Sequence, residues 1–176
     1  MASVRMGEMS VGLGAGAELV AIGLGSCIGL ALVDRVAGVA GLAHVVLPES
    51  QGAAGPAGKF ADLAVPELLR QLLEAGARKD RLEAVLVGGA RMFALGAGLD
   101  IGSRNEAAVR DALKSMRLPV RGAETGGNSG RTIKVAPEQG IVNVHQAGGK
   151  PVELLGPKAR REALLRPSVA FGVAGA

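Results

Sequence analysis

The sequence predicts a single α+β domain with a strand-rich core, arranged as layered sheets with two main helices packed outside. Three observations lead to this prediction. Several apolar runs have the length and β-branched content of strands, and two other segments have helical spacing of their apolar residues. The interior must be built from small and aliphatic side chains, because the 176 residues include 28 Gly and 3 Phe but no Trp or Tyr. A mean hydropathy of +0.31 excludes a disordered chain.

The predicted strands are short runs bounded by glycine, proline or charged residues. A turn of composition DRVAG separates the third run from the fourth, and PEQG separates the last two as a hairpin turn. The runs are residues 3–11, 18–24, 28–33, 39–47, 82–87, 132–135 and 141–144.

The first predicted helix covers residues 59–75. Its apolar residues recur at intervals of three and four, as on one buried face of a helix: Val65, Leu68, Leu69 and Leu72. Pro66 lies inside this pattern, so the helix either bends there or begins its regular part near the proline. Gly76 is the expected terminator.

A second helix is predicted to follow the glycine-rich loop that ends at Gly102. Ser103 with Glu106 three residues later has the pattern of a capping box, which marks a helix start. The buried stripe behind that start comprises Val109, Ala112, Leu113 and Met116. We expect residues 1–147 to form the domain and residues 148–176, with their proline, glycine and basic cluster, to form a C-terminal extension.

Composition also limits the compartment and the partners. One cysteine excludes an intrachain disulfide and is typical of a reducing compartment, which makes the cytoplasm the expected location. The uncharged stretch 19–33 holds fifteen residues, fewer than the about 20 that a spanning helix needs, so no stable membrane insertion is expected. The basic residues behind the net charge of +4 are scattered and no aromatic cluster accompanies them, which argues against nucleic acid as a partner.

Cys27 and His44 are the residues with the most evident chemical potential. Cys27 follows Gly25 and Ser26 at a predicted tight turn, where backbone N–H groups could receive an oxyanion. His44 interrupts an otherwise apolar strand, where a polar ring is costly to bury unless it is hydrogen-bonded. If the two strands pair antiparallel across their short turn, thiol and imidazole approach each other, and a cysteine with a histidine base is sufficient for acyl transfer. A buried inert cysteine and a hydrogen-bonded core histidine are the alternative interpretation.

Five segments, in this order, resemble the chemoreceptor glutamine deamidase family CheD, over about residues 4–147. They are GLGSC (23–27), GLAHVVLP (41–48), GGARMF (88–93), IGSRN (101–105) and TGGNSGR (125–131). The resemblance implies a fold related to cysteine deamidase toxins and hydrolysis of glutamine side chains in methyl-accepting chemotaxis receptors, without a cofactor. It also implies that Cys27 is the nucleophile and His44 the base. The phosphatase CheC is a further partner implied by the family.

The resemblance has one departure in this chain. The family commonly carries a threonine six residues before the cysteine, where it helps to orient the histidine, and this chain has Ala21 there. Since a methyl group cannot hydrogen-bond the ring, a backbone carbonyl, a water or another side chain must orient His44.

Five further residues are predicted to support the site. Gly25 and Ser26 are expected to support the turn and the oxyanion, while Arg104 and Asn105 in the first helical turn, with Thr125, are expected to bind substrate. Surface solvation is the alternative for Arg104 and Asn105. Cys27, His44 and His145 are too scattered to indicate a zinc site.

Two other functions stay open on these observations. One is a non-catalytic chemotaxis regulator that binds receptors or CheC, for which Ala21 is the main argument. The other is receptor methylester hydrolysis by the same acyl-enzyme chemistry.

Overall fold

The computed structural model describes residues 1–91, 100–146 and 148–157. Within these ranges the chain forms ten strands and two α-helices. The helices are α1 (Ala61–Glu74) and α2 (Ile101–Ser115). The strands are β1 (Ala2–Ser3), β2 (Met9–Leu13), β3 (Leu19–Leu24), β4 (Ile28–Asp34), β5 (Val39–Val45), β6 (Glu83–Gly88), β7 (Val120–Thr125), β8 (Arg131–Ala136), β9 (Ile141–Gln146) and β10 (Val152–Leu155).

The strands form two mixed five-stranded sheets. The central sheet has the order β2-β5-β4-β6-β7, and the outer sheet has the order β1-β3-β8-β9-β10. Side chains alternate across β4: Leu30 and Leu32 pack against the helices, while Ala31 and Val33 pack against the outer sheet. The molecule therefore has three layers, with helices on one face of the central sheet and the outer sheet on the other. This arrangement confirms the predicted α+β class with layered sheets and helices outside.

Strands β4 and β5 form an antiparallel hairpin that is buried along its whole length. Asp34 closes its turn by accepting hydrogen bonds at Oδ1 from the backbone N–H groups of Val36 and Ala37, each at 3.0 Å. Its Oδ2 accepts from the Arg78 amide at 2.9 Å, which ties the turn to the segment before β6. The two predicted strands 28–33 and 39–47 are confirmed.

The prediction of one strand over residues 3–11 is wrong, because the chain turns between two short strands. β1 runs parallel to β3 in the outer sheet, whereas β2 pairs with β5 in the central sheet. Gly7 adopts a φ of +79° at this turn, a conformation that favours glycine. The N-terminal segment thus passes from one sheet to the other.

Helix α1 confirms the first predicted helix. It begins five residues before Pro66, so the alternative in which the regular helix starts near the proline is wrong. Gly76 ends it at φ +93°, with its amide donating to Leu73 and the Ala77 amide donating to Leu72, the pattern of a Schellman motif.

The start of α2 differs from the predicted capping box. Asp100 is the N-cap, and its carboxylate accepts from the Ser103 amide at 3.1 Å and from the Ser103 hydroxyl at 2.8 Å. Ser103 is therefore inside the first turn, because a carboxylate three residues earlier takes the capping role. Glu106 accepts from the Thr125 hydroxyl instead of reaching back to the helix start. The predicted stripe is confirmed, with Val109 and Leu113 buried.

Two strands lie outside the predicted set. β7 pairs parallel with β6, and β10 pairs with β9 inside the segment predicted as an extension, so the outer sheet continues to Leu155. β7 was not predicted because its sequence, VRGAET, has no apolar run. Such a sequence suits the half-exposed edge of the central sheet, where this strand lies. No helix in the described part of the chain is long and apolar enough to cross a membrane.

Candidate active site

Three glycine-containing turns meet at one end of the central sheet and hold one another through their backbones. The Gly89 amide donates to the Cys27 carbonyl and the Ala90 amide to the Gly25 carbonyl, both at 2.8 Å. On the other side the Arg91 amide donates to the Gly127 carbonyl at 2.8 Å. Segments that are far apart in sequence therefore form one compact frame around residues 25–27, which we call the cysteine turn.

Gly88 shows why this frame requires glycine. Its φ is +114°, and a Cβ atom built there would lie 2.2 Å from the carbonyl oxygen of Cys27. Any side chain at position 88 would push the cysteine turn out of place.

Cys27 and His44 share one face of the central sheet. Gly29 lies directly opposite His44 in the β4–β5 pair, and Cys27 is two residues before Gly29. Alternation along β4 places the thiol on the same side as the imidazole, at the diagonal position of the pair. Cys27 is buried in the cluster between the two sheets, and His44 is 2% exposed.

The imidazole of His44 is oriented by the N-terminal segment. Its Nδ1 lies 3.3 Å from the carbonyl oxygen of Val4. Since a carbonyl can only accept, Nδ1 carries the proton and Nε2 is left as the basic nitrogen. Nε2 is buried and has no hydrogen-bond partner within the described ranges.

The backbone of His44 is held by the same segment. Its amide donates to the Glu8 carbonyl at 3.0 Å, and its carbonyl accepts from the Gly7 amide at 2.9 Å. The turn that separates β1 from β2 therefore fixes both the strand and the ring of His44. Sequence reasoning missed Val4, because a backbone carbonyl leaves no signal in residue type.

Burial disfavours the charged forms of both the Cys27 thiol and the His44 imidazole. Desolvation raises the pKa of the Cys27 thiol. Desolvation also lowers the pKa of His44, and the hydrogen bond to Val4 opposes that shift only in part. The resting pair is a neutral thiol and a neutral imidazole.

Ala21 lies fully buried on β3, opposite Ile133 of β8, in the cluster that also contains Cys27. Its methyl group supplies no hydrogen bond. The Val4 carbonyl is the group that orients His44 in this chain.

The cysteine turn presents two amide groups. The Gly25 amide donates to the Gly23 carbonyl at 2.9 Å, so Gly25 supports the turn and does not offer an oxyanion donor. The amides of Ser26 and Cys27 have no backbone or side-chain acceptor among residues 1–91, 100–146 and 148–157. They are the donors available to a developing negative charge.

The three residues predicted to bind substrate occupy different environments. Asn105 is fully buried, and its Nδ2 donates to the carbonyls of Ser26 and Val46, each at 2.9 Å. This burial contradicts a direct substrate contact by its side chain. Arg104 is exposed in the first turn of α2, and the half-buried Thr125 donates its hydroxyl to Glu106 at 2.9 Å. Substrate binding by Arg104 and Thr125 stays a prediction.

Arg131 is a buried cation that supports the frame from the outer sheet. Its Nη1 donates to the carbonyls of Gly126 and Ser129, and its Nη2 to Glu124. The guanidinium thereby holds the loop whose Gly127 carbonyl accepts from Arg91.

The described residues contain no group of three or more His, Cys, Asp or Glu side chains placed to hold a metal ion. His145 lies on β9 opposite Thr132 in the outer sheet, whereas His44 belongs to the central sheet.

Fold and site together define a three-layer α+β protein in which a single thiol and a buried imidazole share the end of the central sheet. A family model described as CheD chemotactic sensory transduction matches residues 46–146, a segment that begins two residues after His44. The chain belongs to the CheD family.

Three related proteins align with this chain over more residues than the family model does. A probable chemoreceptor glutamine deamidase CheD from Clostridium kluyveri is 44% identical over 137 residues, which cover 74% of this chain and 84% of that protein. The chemoreceptor glutamine deamidase CheD of Thermotoga maritima is 40% identical over 146 residues, 83% of this chain and 92% of the relative. A probable chemoreceptor glutamine deamidase CheD from Moorella thermoacetica is 40% identical over 167 residues, 88% and 99% of the two chains.

Proposed function

We propose that this protein hydrolyses the side-chain amide of selected glutamines in chemoreceptors, with Cys27 as nucleophile and His44 as general base. The assignment of roles rests on the orientation of the His44 ring: Nδ1 is held by the Val4 carbonyl, so Nε2 is the nitrogen that can take a proton, on the sheet face shared with Cys27. The names of the relatives supply the substrate class.

In the first half of the reaction, His44 Nε2 takes the thiol proton while Cys27 Sγ attacks Cδ of the glutamine. The carbonyl oxygen becomes an oxyanion that accepts hydrogen bonds from the amides of Ser26 and Cys27. The C–N bond then breaks, and the nitrogen leaves as ammonia with the proton from His44. A thioester links the substrate to Cys27.

In the second half, water replaces ammonia. His44 takes a proton from the water as its oxygen attacks the thioester carbon. The C–S bond breaks, glutamate is released, and the proton returns to the sulfur. The carboxylic acid that forms gives its proton to ammonia in solution, so the balance is glutamine plus water giving glutamate plus ammonium, and no cofactor enters it.

The neutral resting pair defines what the base contributes. Because burial raises the pKa of Cys27 and lowers that of His44, the proton must move during the attack rather than before it. Positioned general bases contribute about 10²–10⁴ in rate. Losing the imidazole should cost an amount in this range.

The proposal includes the setting in which the enzyme works. The cytoplasm keeps free thiols reduced, and a chain with one cysteine that acts as a nucleophile fits that compartment. The family resemblance adds the phosphatase CheC as a partner. Co-elution of the two purified proteins in size-exclusion chromatography tests that partner separately from the catalytic activity.

The experiment is incubation with the cytoplasmic fragment of a chemoreceptor, followed by mass spectrometry for amide-to-acid conversion. Wild type should convert specific glutamines, Cys27→Ala should convert none, and His44→Ala should be slower by about 10²–10⁴. The matched control is His145→Ala, the other histidine, which should retain activity. No conversion by wild type, or equal conversion by Cys27→Ala, would overturn the proposal.

A non-catalytic role is the second candidate, and Ala21 is the observation that favours it, because the buried methyl group offers no hydrogen bond. Receptor binding without any conversion would support that role. Faster turnover of a methylester peptide than of the matching glutamine peptide would instead indicate an esterase.

A further inference from the structure

Asn105 is a buried residue of α2 that contacts both the cysteine turn and the end of the strand that carries His44. We propose that Asn105 is a positioning residue that holds Cys27 in register with His44. This inference rests on the proposed function, since it concerns how the two reacting groups are kept together.

The contacts of Asn105 join the two halves of the site. Its Nδ2 donates at 2.9 Å to the carbonyl of Ser26, the residue immediately before Cys27. The same nitrogen donates at 2.9 Å to the carbonyl of Val46, two residues after His44. In the part of the chain that the structure describes, no other donor reaches either carbonyl. Both hydrogens of one amide group therefore link the nucleophile segment to the base segment.

The orientation of the amide is determined by its surroundings. Two carbonyl oxygens face the group, and only an NH₂ can satisfy both, so the reversed orientation would bring oxygen against oxygen. The Oδ1 atom is left buried without a hydrogen-bond partner among the described residues. An unpaired buried acceptor such as Oδ1 is unfavourable. The Asn105 side chain nevertheless keeps this orientation, in which both hydrogens of Nδ2 are bonded to the carbonyls of Ser26 and Val46.

Helix α2 gives Asn105 a rigid base. A Cβ at Gly102 would lie 2.4 Å from the carbonyl of Gly89, so the first turn of α2 lies directly against the turn that binds Cys27. Val109 and Leu113, one and two turns further along the same face, are buried in the core beneath the central sheet. Asn105 thus transmits the position of a packed helix to the cysteine turn.

Loss of both hydrogen bonds should separate the thiol from the imidazole. A displacement of about 1 Å at a reacting group can cost about 10² in rate. We therefore expect Asn105→Asp, which keeps the shape but presents carboxylate oxygens to the two carbonyls, to lower kcat by about 10² with a smaller change in KM.

The direct readout is the NMR signal of the His44 ring, which can be isolated because the chain has two histidines and His145→Gln identifies the other. When Asn105 is present, the Cys27→Ser substitution should change the chemical shift and the titration of the His44 ring. In the Asn105→Asp background the same change should alter His44 much less, because the thiol is displaced from the imidazole. Asn105→Ser, which keeps one short donor, replaces Asn105→Asp if the latter does not fold.

The matched control is Val109→Ala, which weakens the same helix without touching either carbonyl. It should keep the coupling between Cys27 and His44. Retention of the coupling and of kcat in the Asn105 variant would overturn the proposal, as would their equal loss in Val109→Ala. Absence of coupling in wild type would instead refute the Cys27–His44 pairing of the proposed function, so the two failures are distinguishable.

Discussion

The carbonyl oxygen of Val4 lies 3.3 Å from Nδ1 of His44. This contact sets the tautomer, since it places the proton on Nδ1 and leaves Nε2 as the base. Because a backbone group from the N-terminal segment orients the ring, position 21 does not have to supply a hydrogen bond. The Val4 amide in turn donates to the Val20 carbonyl at 2.8 Å, so β3 still supports the ring through its backbone.

Restoring a hydroxyl at position 21 should therefore gain little. We expect Ala21→Thr and Ala21→Val to have similar deamidation rates, because the ring is already oriented by Val4. Both variants should lose about 1–3 kcal/mol of stability, since position 21 is fully buried and extra atoms overpack it. Kinetics and urea unfolding measure the two effects. A rate for the threonine variant far above that of the valine variant would show that Val4 is insufficient.

The pH dependence of the reaction should reflect the buried imidazole. Burial lowers the pKa of His44, so the ring stays neutral and able to act as base below its ordinary value of about 6.5. The acid limb of kcat/KM should accordingly lie below that pH. A limb at or above about 6.5 would contradict a neutral resting pair. Deamidation rates across a pH series, with receptor fragment in limiting amount, give the measurement.

Gly88 is expected to be indispensable for the site. Gly88→Ala combines overpacking against the Cys27 carbonyl, about 1–3 kcal/mol, with a backbone strain of about 1–2 kcal/mol, and it should abolish deamidation. Gly126→Ala is the matched control: its φ is also positive, at +78°, but its Cβ would meet nothing within 4 Å. Thermal unfolding and activity of the two variants provide the comparison. Equal activity would contradict the role of close approach at Gly88.

Asp34 should make the stability of the fold depend on pH. Burial alone would raise its pKa, but hydrogen bonds from the amides of Arg78, Ala37 and Val36, with the charge of Arg81, lower it. The stabilisation is therefore complete above the unfolded pKa of about 3.9 and is lost as pH falls through the lower folded value. Asp34→Asn should cost about 2–4 kcal/mol at neutral pH.

Urea unfolding at neutral and acidic pH tests this dependence. The difference between wild type and Asp34→Asn should shrink as the pH falls below about 3.9. Asp80→Asn, which removes an exposed partner of Arg78, should change stability little and serves as the control. A difference that persists unchanged in acid would show that Asp34 acts through packing.

Local patterns were sufficient for most elements but not for their ends. The spacing of Val65, Leu68 and Leu72 predicted α1, because a buried helix face needs that period whatever it packs against. The predicted capping residue of α2 was wrong. Both Ser and Asp suit a helix start, and only the folded backbone shows that the Asp100 carboxylate reaches the Ser103 amide. The prediction of one strand over residues 3–11 was wrong because its two halves join different sheets. Which sheet each half joins depends on partners far away in sequence.

Residue type and spacing were enough to predict the layered sheets, the single thiol, the apolar strand interrupted by a histidine, and the family. Three further contacts could be seen only in the folded chain: the Val4 carbonyl orients His44, Asn105 is buried behind the cysteine turn, and Gly88 approaches the Cys27 carbonyl. Each of these contacts involves a backbone carbonyl, which every residue possesses, so only the path of the folded chain determines which carbonyl is used.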